Sequence, residues 1–474
     1  MTKKFYITTA IPYVNAPPHI GHALEFVQAD TVARYHRLLG EETCLLSGAD
    51  ENALKNVQAA EKEKTPIQEF IDKNAKKFQE LAKKLSVKID IFQRGSDKKN
   101  HFFSSQKLWR LCEAKGDIYQ KKYKGLYCVG CETFYTPDEL NEKGECFEHP
   151  GKKLEEVSEK NYFFKLSKYQ KQLINIISKD ELKIYPDFRK KEVFNFLKQP
   201  LLDISISRTN ERARNWGVPV PDDDTQRIYV WFDADNIYQS GVGFGWNEKL
   251  YRKWWPADVH VIGKGIIRFH AIYWIAFLLS AGLSLPKSLF VHGYLTIEGQ
   301  KMSKTLGNVI DPFALVNKYG TDAVRYYLLR EIPPFDDGDY SESRMKELYN
   351  SDLANELGNL VSRLTTLAEK DEITVNNETV KQFNNLTIQQ FNSFQFNLIL
   401  EDIWNQIKRL NKEIDDFAPW KKSSEERKDF LLQCFKTLKS IAWQLQPFLP
   451  ETAEKIIKAT TGKIKKTPPL FPKL

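Results

Sequence analysis

His19 and His22 stand one helical turn apart in Pro12-Tyr13-Val14-Asn15-Ala16-Pro17-Pro18-His19-Ile20-Gly21-His22. Far downstream, Lys301 and Lys304 have the same spacing in Gly299-Gln300-Lys301-Met302-Ser303-Lys304-Thr305. Positions i and i+3 of a helix share a face, and a helix N-terminus attracts anions through its unpaired N–H groups. Gly21 leaves room for a ligand to approach. Imidazoles from one segment and ammonium groups from the other make two cationic jaws able to grip a triphosphate and offset charge as pyrophosphate leaves. Taken alone, each pair reads equally as ordinary surface histidines or a solvated basic turn.

A second set is Cys128-Val129-Gly130-Cys131 followed by Cys146-Phe147-Glu148-His149, with the turn-rich Thr136-Pro137-Asp138 and Lys143-Gly144 between. Three thiolates and an imidazole make a closed tetrahedral shell for zinc, with no open position, which marks a structural site. A disulfide is the competing reading, disfavoured in a chain that shows no secretory signal. Cys44, Cys112 and Cys434 are isolated and read as core or surface thiols.

The elements that must position these groups follow from the apolar pattern. Phe5 to Thr9 reads as a buried strand. Pro17-Pro18 reads as the opening of a helix that runs to about Leu39 and is stopped by Gly40. Thr43 to Ser47 reads as a second buried strand, ending at Gly48-Ala49-Asp50-Glu51. Strand, helix, strand begins an α/β fold with a doubly wound parallel, Rossmann-like sheet, whose ligands sit beyond the carboxyl ends of the strands. His19, His22 and Asp50 fall at that edge. Val291 to Thr296 reads as a strand leading into the lysine loop. The run Ala271 to Leu285 falls short of the roughly 20 residues a bilayer needs and reads as a core helix.

In the last third, Leu353, Leu357, Leu360, Leu364 and Leu367 share a helical face. Phe396, Ile399, Ile403, Ile407, Leu410 and Ile414 form a second stripe; Phe435, Leu438, Ile441 and Leu445 form a third, stopped by Pro447. This predicts an all-α helix-bundle domain. The expected division is 1–117 and 207–292 for the two halves of the catalytic sheet, 118–206 for an insertion carrying the zinc knuckle, 293–350 for the lysine-loop region, and 351–474 for the bundle.

A length of 474 residues calls for several domains. A composition of 42% hydrophobic and 28% charged residues is that of a globular protein and argues against a disordered chain. The N-terminus lacks the apolar core of a signal peptide, so a cytoplasmic location without membrane association is expected. A net charge of +8 leans towards a polyanionic partner.

The histidine and lysine segments occur in this order, flanked by Leu24-Glu25-Phe26-Val27-Gln28-Ala29-Asp30 and Leu306-Gly307-Asn308-Val309. They resemble the two signatures of class I aminoacyl-tRNA synthetases. Over essentially its whole length the chain most resembles the methionyl-tRNA synthetase family. The resemblance implies an enzyme that activates methionine with ATP and Mg²⁺ and transfers it to tRNA(Met), with a structural Zn²⁺ held by Cys128, Cys131, Cys146 and His149. It implies catalytic roles for His19, His22, Lys301 and Lys304, and ATP binding by these with Gly21, Gly263, Lys264 and Ser303. Ile11, Tyr13, Asp50, Trp231, Ala234, Tyr238, His270 and Trp274 match positions that surround the methionine substrate, where aromatic faces suit a polarizable sulfur. Asn359, Arg363 and Trp420 match residues that read the anticodon, by the hydrogen bonding and stacking usual for RNA loops. The plain alternatives are core packing for the aromatics and solvation for Asn359 and Arg363.

Four positions depart from the family pattern. Thr305 replaces a serine and keeps its hydroxyl. Asn52 stands where a histidine is common, and Gly265 where a carboxylate usually lines the nucleotide side. Asp235 occupies a normally apolar position beside the methionine slot, where an unpaired buried carboxylate is costly or stays protonated; it is expected to turn away from the substrate. These departures keep two alternatives open: a class I synthetase for another amino acid, and a catalytically silent RNA-binding relative. The chain ends without an appended tRNA-binding domain, so a monomer is expected.

Overall fold

The computed structural model describes residues 3–128, 133–135, 140–146, 151, 154–302, 307–376 and 382–474. The chain divides into two compact units. The first comprises Met1–Pro18, Glu41–Glu80 and Lys88–His292, and the second His19–Gly40, Leu81–Val87 and Gly293–Leu474.

The first unit is built on a sheet of β1 (Lys4–Thr9), β2 (Glu42–Ala49), β3 (Ile91–Arg94), β4 (Lys183–Tyr185), β5 (Val259–Gly263) and β6 (Ser288–His292). Every pairing is parallel, in the order β3-β2-β1-β5-β6-β4. Strands of such a sheet are covered on both faces and read as continuous apolar runs, as the fully buried β6 does. The winding reverses between β1 and β5, which opens a crevice at their carboxyl ends. Ile11 and Tyr13 follow β1, and Lys264 follows β5. The predicted strands at 5–9 and 43–47 are present, slightly extended.

After β3 the chain forms an antiparallel ribbon. Ile118–Cys128 pairs with Glu155–Phe164 from Ile118↔Phe164 to Tyr127↔Glu155, and Thr133–Tyr135 and Ile204–Ser205 add the edges. Of the apolar run Ala271 to Leu285, the part up to Ala281 lies in a buried helix; Gly282, in the left-handed conformation, ends it, and residues 282–285 lie outside. The first part of the helix, Phe269–Trp274, takes the wide turns of a π-helix, and Ile275–Ala281 continues as α-helix.

The second unit contains the helix Ile20–Leu38 and a small sheet in which Leu295–Ile297 lies between Gln300–Lys301 and Gly338–Tyr340. The single strand predicted over Val291 to Thr296 is therefore two. β6 ends at His292, and Leu295–Ile297 pairs in a different sheet. Helices Asn359–Lys370, Phe396–Phe417, Ser424–Leu445 and Pro450–Ala459 form the helical C-terminal region. All predicted residues of the second and third apolar stripes are buried. In the first stripe Leu367 is only half-buried, and Val361 and Ala368 are buried instead. A stripe spaced every 3.5 residues drifts around a helix of 3.6 residues per turn, carrying its last member to the rim.

Candidate active site

The helix that carries the two histidines starts later than predicted. Pro17 and Pro18 precede it, Ile20 is its first residue, and His19 caps it from extended backbone at φ −125° and ψ 176°. The cap is reciprocal. His19 Nδ1 accepts the Gly21 N–H at 3.1 Å, and His22 Nδ1 accepts the His19 N–H at 3.1 Å. The ring centroids are 3.9 Å apart. A neutral imidazole that accepts at Nδ1 carries its proton on Nε2, so the cap turns both residues into Nε2–H donors at a helix N-terminus. A side chain at Gly21 would lie 3.0 Å from His19 Cε1. Any side chain at this position would therefore crowd the His19 ring, which only glycine avoids.

The lysine segment meets this cap within the same unit. The Ile20 N–H donates to the Ile310 carbonyl at 3.3 Å, and Met302 Cε lies 3.9 Å from a Cβ built on Gly21. Lys301 is a strand residue and does not belong to the loop predicted for it: it pairs with Thr296 across the two-residue turn Glu298-Gly299. Both turn residues have positive φ, 48° and 75°, the geometry that suits the twist of a hairpin and favours glycine. Ser303, Lys304 and Thr305 lie outside the described residues.

In the first unit, aromatic candidates from three segments converge. The Tyr13 ring meets Trp231 edge-on at 6.2 Å, and Trp231 stacks on Phe269 at 3.8 Å. Trp231 lies 6.4 Å from His270, and Tyr238 lies 6.4 Å from the fully buried Trp274. Ile11 packs against the same core, in which Ala234 is buried. Tyr13 forms a parallel bridge with the buried Asp50, whose N–H donates to the Pro12 carbonyl at 2.9 Å. Gly263, Lys264 and Gly265 are half-buried at the end of β5.

The Asp235 side chain does not turn to water; it is buried, with Oδ1 3.7 Å from His270 Nε2 and, among the described residues, no hydrogen-bond partner for Oδ2. Burial pushes its carboxyl well above the usual carboxylate range. His270 is fixed by the Ile266 carbonyl 3.0 Å from Nδ1 and the Tyr238 hydroxyl 2.7 Å from Nε2. Burial pushes its pKa down to about 4, against the raising effect of the Ile266 carbonyl, so the ring is neutral at pH 7. A carbonyl only accepts, so the proton is on Nδ1 and Nε2 accepts from Tyr238.

Sequence reasoning missed the network around Asp233. The Asn52 amide donates to the Gly95 carbonyl at 2.8 Å and to Asp233 Oδ2 at 2.7 Å. Asp233 Oδ1 takes His101 Nε2 at 2.9 Å and Ser105 Oγ at 2.7 Å. An amide thus donates, at any pH, where an imidazole was expected. His260, on β5, was also missed; its Nδ1 is 2.7 Å from Thr8 Oγ1 and its ring 4.3 Å from Tyr238. A histidine inside an apolar strand was the available signal.

Two candidate clusters lie elsewhere. In the helical region Asn359 is exposed, and Arg363 places its guanidinium 5.7 Å from the ring of Trp420, which is 53% exposed. Arg363 also pairs with Asp415 at 2.6 Å. In the ribbon, Cys128 and Cys146 are buried, and Cys146 Sγ is 3.5 Å from the Tyr135 hydroxyl. Cys131 and His149 lie outside the described residues. The isolated Cys44, Cys112 and Cys434 are all buried.

Residues 5–365 match the family described as tRNA synthetases class I (M). The methionine–tRNA ligase of Thermotoga maritima is 41% identical over 96% of this chain and 75% of its own length. That of a Nostoc species is 40% identical over 96% of this chain and 89% of its own. Among solved structures, the Mycobacterium tuberculosis methionyl-tRNA synthetase in complex with methionyl-adenylate superposes with a TM-score of 0.91 at 36% identity, covering 99% of this chain and 100% of that one.

Proposed function

The chain belongs to the class I tRNA synthetases of the (M) family, and from that membership we infer that it is a methionine–tRNA ligase. It activates methionine with ATP to methionyl-adenylate and transfers the methionyl group to tRNA. The observation that carries the reading is the meeting of the two motifs, Ile20 with Ile310 and Gly21 with Met302.

The methionine carboxylate attacks the α-phosphorus of ATP, the bond to the bridging oxygen breaks, and pyrophosphate leaves with the electron pair. His19 and His22 donate to the phosphates through Nε2–H, and Lys301 and Lys304, with Gly21, Gly263, Lys264 and Ser303, complete the nucleotide grip. Such transfer needs positioning and charge stabilisation rather than a protein nucleophile. Ile11, Tyr13, Trp231, Ala234, Tyr238, His270 and Trp274 hold the methionine side chain, and Asp50 its amino group. The terminal ribose hydroxyl of the tRNA then attacks the mixed anhydride and releases AMP. Mg²⁺ bound with ATP supplies further neutralisation of the phosphates.

A structural zinc fits the insertion. Two of its four candidate ligands, Cys128 and Cys146, are buried sulfurs, and Cys146 Sγ lies 3.5 Å from the Tyr135 hydroxyl. Asn359, Arg363 and Trp420 read the anticodon. The reading extends to a monomer acting in the cytoplasm; among the described residues no helix is long and apolar enough to cross a membrane.

Methionine-dependent ATP–pyrophosphate exchange tests the assignment. Exchange is expected, with His22→Ala slower by about 10²–10³-fold, the scale of losing one donor to a charged transition state. No exchange, with tRNA binding retained, would favour the silent relative.

A further inference from the structure

We propose that Asp235 is a specificity-determining residue, whose carboxyl adds a hydrogen-bond donor to the amino-acid slot and admits methionine analogues that end in a strong acceptor, above all methionine S-oxide. The proposal rests on the reading of the slot given above.

Among the described residues the Asp235 carboxyl is left with an unsatisfied oxygen. It is 2% exposed, so water does not reach it freely. Oδ2 has no hydrogen-bond partner among the described residues. His270 Nε2 is 3.7 Å from Oδ1, too far for a hydrogen bond. The lone pair of that nitrogen is in any case taken by the Tyr238 hydroxyl at 2.7 Å. Burial favours the protonated form of the carboxyl, which has an O–H to give.

That carboxyl lies 3.7 Å from His270, one of the residues proposed to line the methionine slot. A thioether is a weak acceptor and gains little from it. A sulfoxide oxygen is a strong one, and in an apolar slot it would be stranded without a donor, which a binding site rejects. The departure at position 235 therefore lowers the barrier to an oxidised substrate. Asn236, next in the chain, does not serve: its amide donates to Ser104 and Ser105.

The test is ATP–pyrophosphate exchange by the full chain with methionine and with methionine S-oxide, expressed as the ratio of the two kcat/KM values. Asp235→Leu is expected to raise the preference for methionine by at least about tenfold, the effect of one lost hydrogen bond. Asp235→Asn, which keeps a donor, is expected to stay near the unsubstituted ratio. Should leucine fail to fold, as judged by a thermal transition, Asp235→Ala carries the same comparison. An unchanged ratio in the apolar variant, with methionine exchange intact, overturns the role of Asp235 alone. Absence of methionine exchange by the unsubstituted chain overturns the reading of the slot as well.

Discussion

Arg325 and Asp30 form an ion pair at 2.8 Å in which neither side chain has exposed surface. Asp30 lies on the helix that His19 caps, Ile20–Leu38, and Arg325 on the helix Thr321–Arg330. The guanidinium also donates to the Phe448, Leu85 and Pro447 carbonyls at 2.7, 3.1 and 2.9 Å. Asp30 also accepts from Arg34 at 2.7 Å. Removing Arg325 leaves Asp30 one of these two arginines, Arg34, and leaves three carbonyls without their donor in low dielectric. Arg325→Met is expected to destabilise the chain by about 3–5 kcal/mol, read by urea unfolding. A loss within ~1 kcal/mol would mean that water replaces the guanidinium.

Acid should weaken the fold through His270. Its pKa falls from the ordinary 6.5 to about 4 on burial, so between these values the unfolded chain binds a proton that the folded chain refuses. Stability is fully present above about pH 6.5 and is lost as the pH falls to about 4, by about 3 kcal/mol for this group. Burial, followed by the proximity of His270, moves His260 in the same direction. His270→Gln should flatten the slope of unfolding free energy against pH in that window; an unaltered slope would refute the assignment.

Asp235 should act with the opposite sign. Its folded carboxyl is held protonated well above the ordinary value of 3.8, so above that pH the unfolded chain alone releases the proton. Its contribution therefore becomes more unfavourable as the pH rises from about 4 towards the folded value. Asp235→Asn, beside His270 and Tyr238, should raise the melting temperature more at pH 8 than at pH 4.5. An equal shift at both would show that the carboxyl is already ionised in the fold.

Trp420 has an exposed ring with Arg363 beside it, an arrangement suited to stacking a splayed base. Trp420→Ala is expected to lower aminoacylation of tRNA(Met) by about tenfold or more, the scale of one lost base stack. Methionine-dependent pyrophosphate exchange, which needs no tRNA, should persist. Equal loss of both activities would remove Trp420 from RNA recognition.

Metal analysis of the purified chain should find one zinc per polypeptide. Cys146→Ser should abolish it and loosen the ribbon Ile118–Cys128 and Glu155–Phe164 to proteolysis. Full zinc content in that variant would point to a different ligand set.

Much of this was legible without coordinates, because local patterns report local physics. The continuous apolar runs at Phe5 and Leu45 require a strand covered on both faces, and the stripes from Phe396 and Phe435 require helices buried on one side. Motif spacing carried the family. Less legible were the points where two distant segments compete for one space. Nothing in Pro17-Pro18-His19 reveals that His19 and His22 cap the helix reciprocally, since this depends on ring orientation. Lys301 reads as a loop residue until its pairing with Thr296 is seen.

The amino-acid order alone determined the parallel α/β core, the helical last third and the family, because hydrophobic period and motif chemistry survive in one dimension. Tertiary structure alone decided where the Asp235 carboxyl lies. Whether a carboxyl meets water or a neutral imidazole depends on the burial of its surroundings, and here the Ile266 carbonyl and Tyr238 hydroxyl had already claimed both nitrogens of His270.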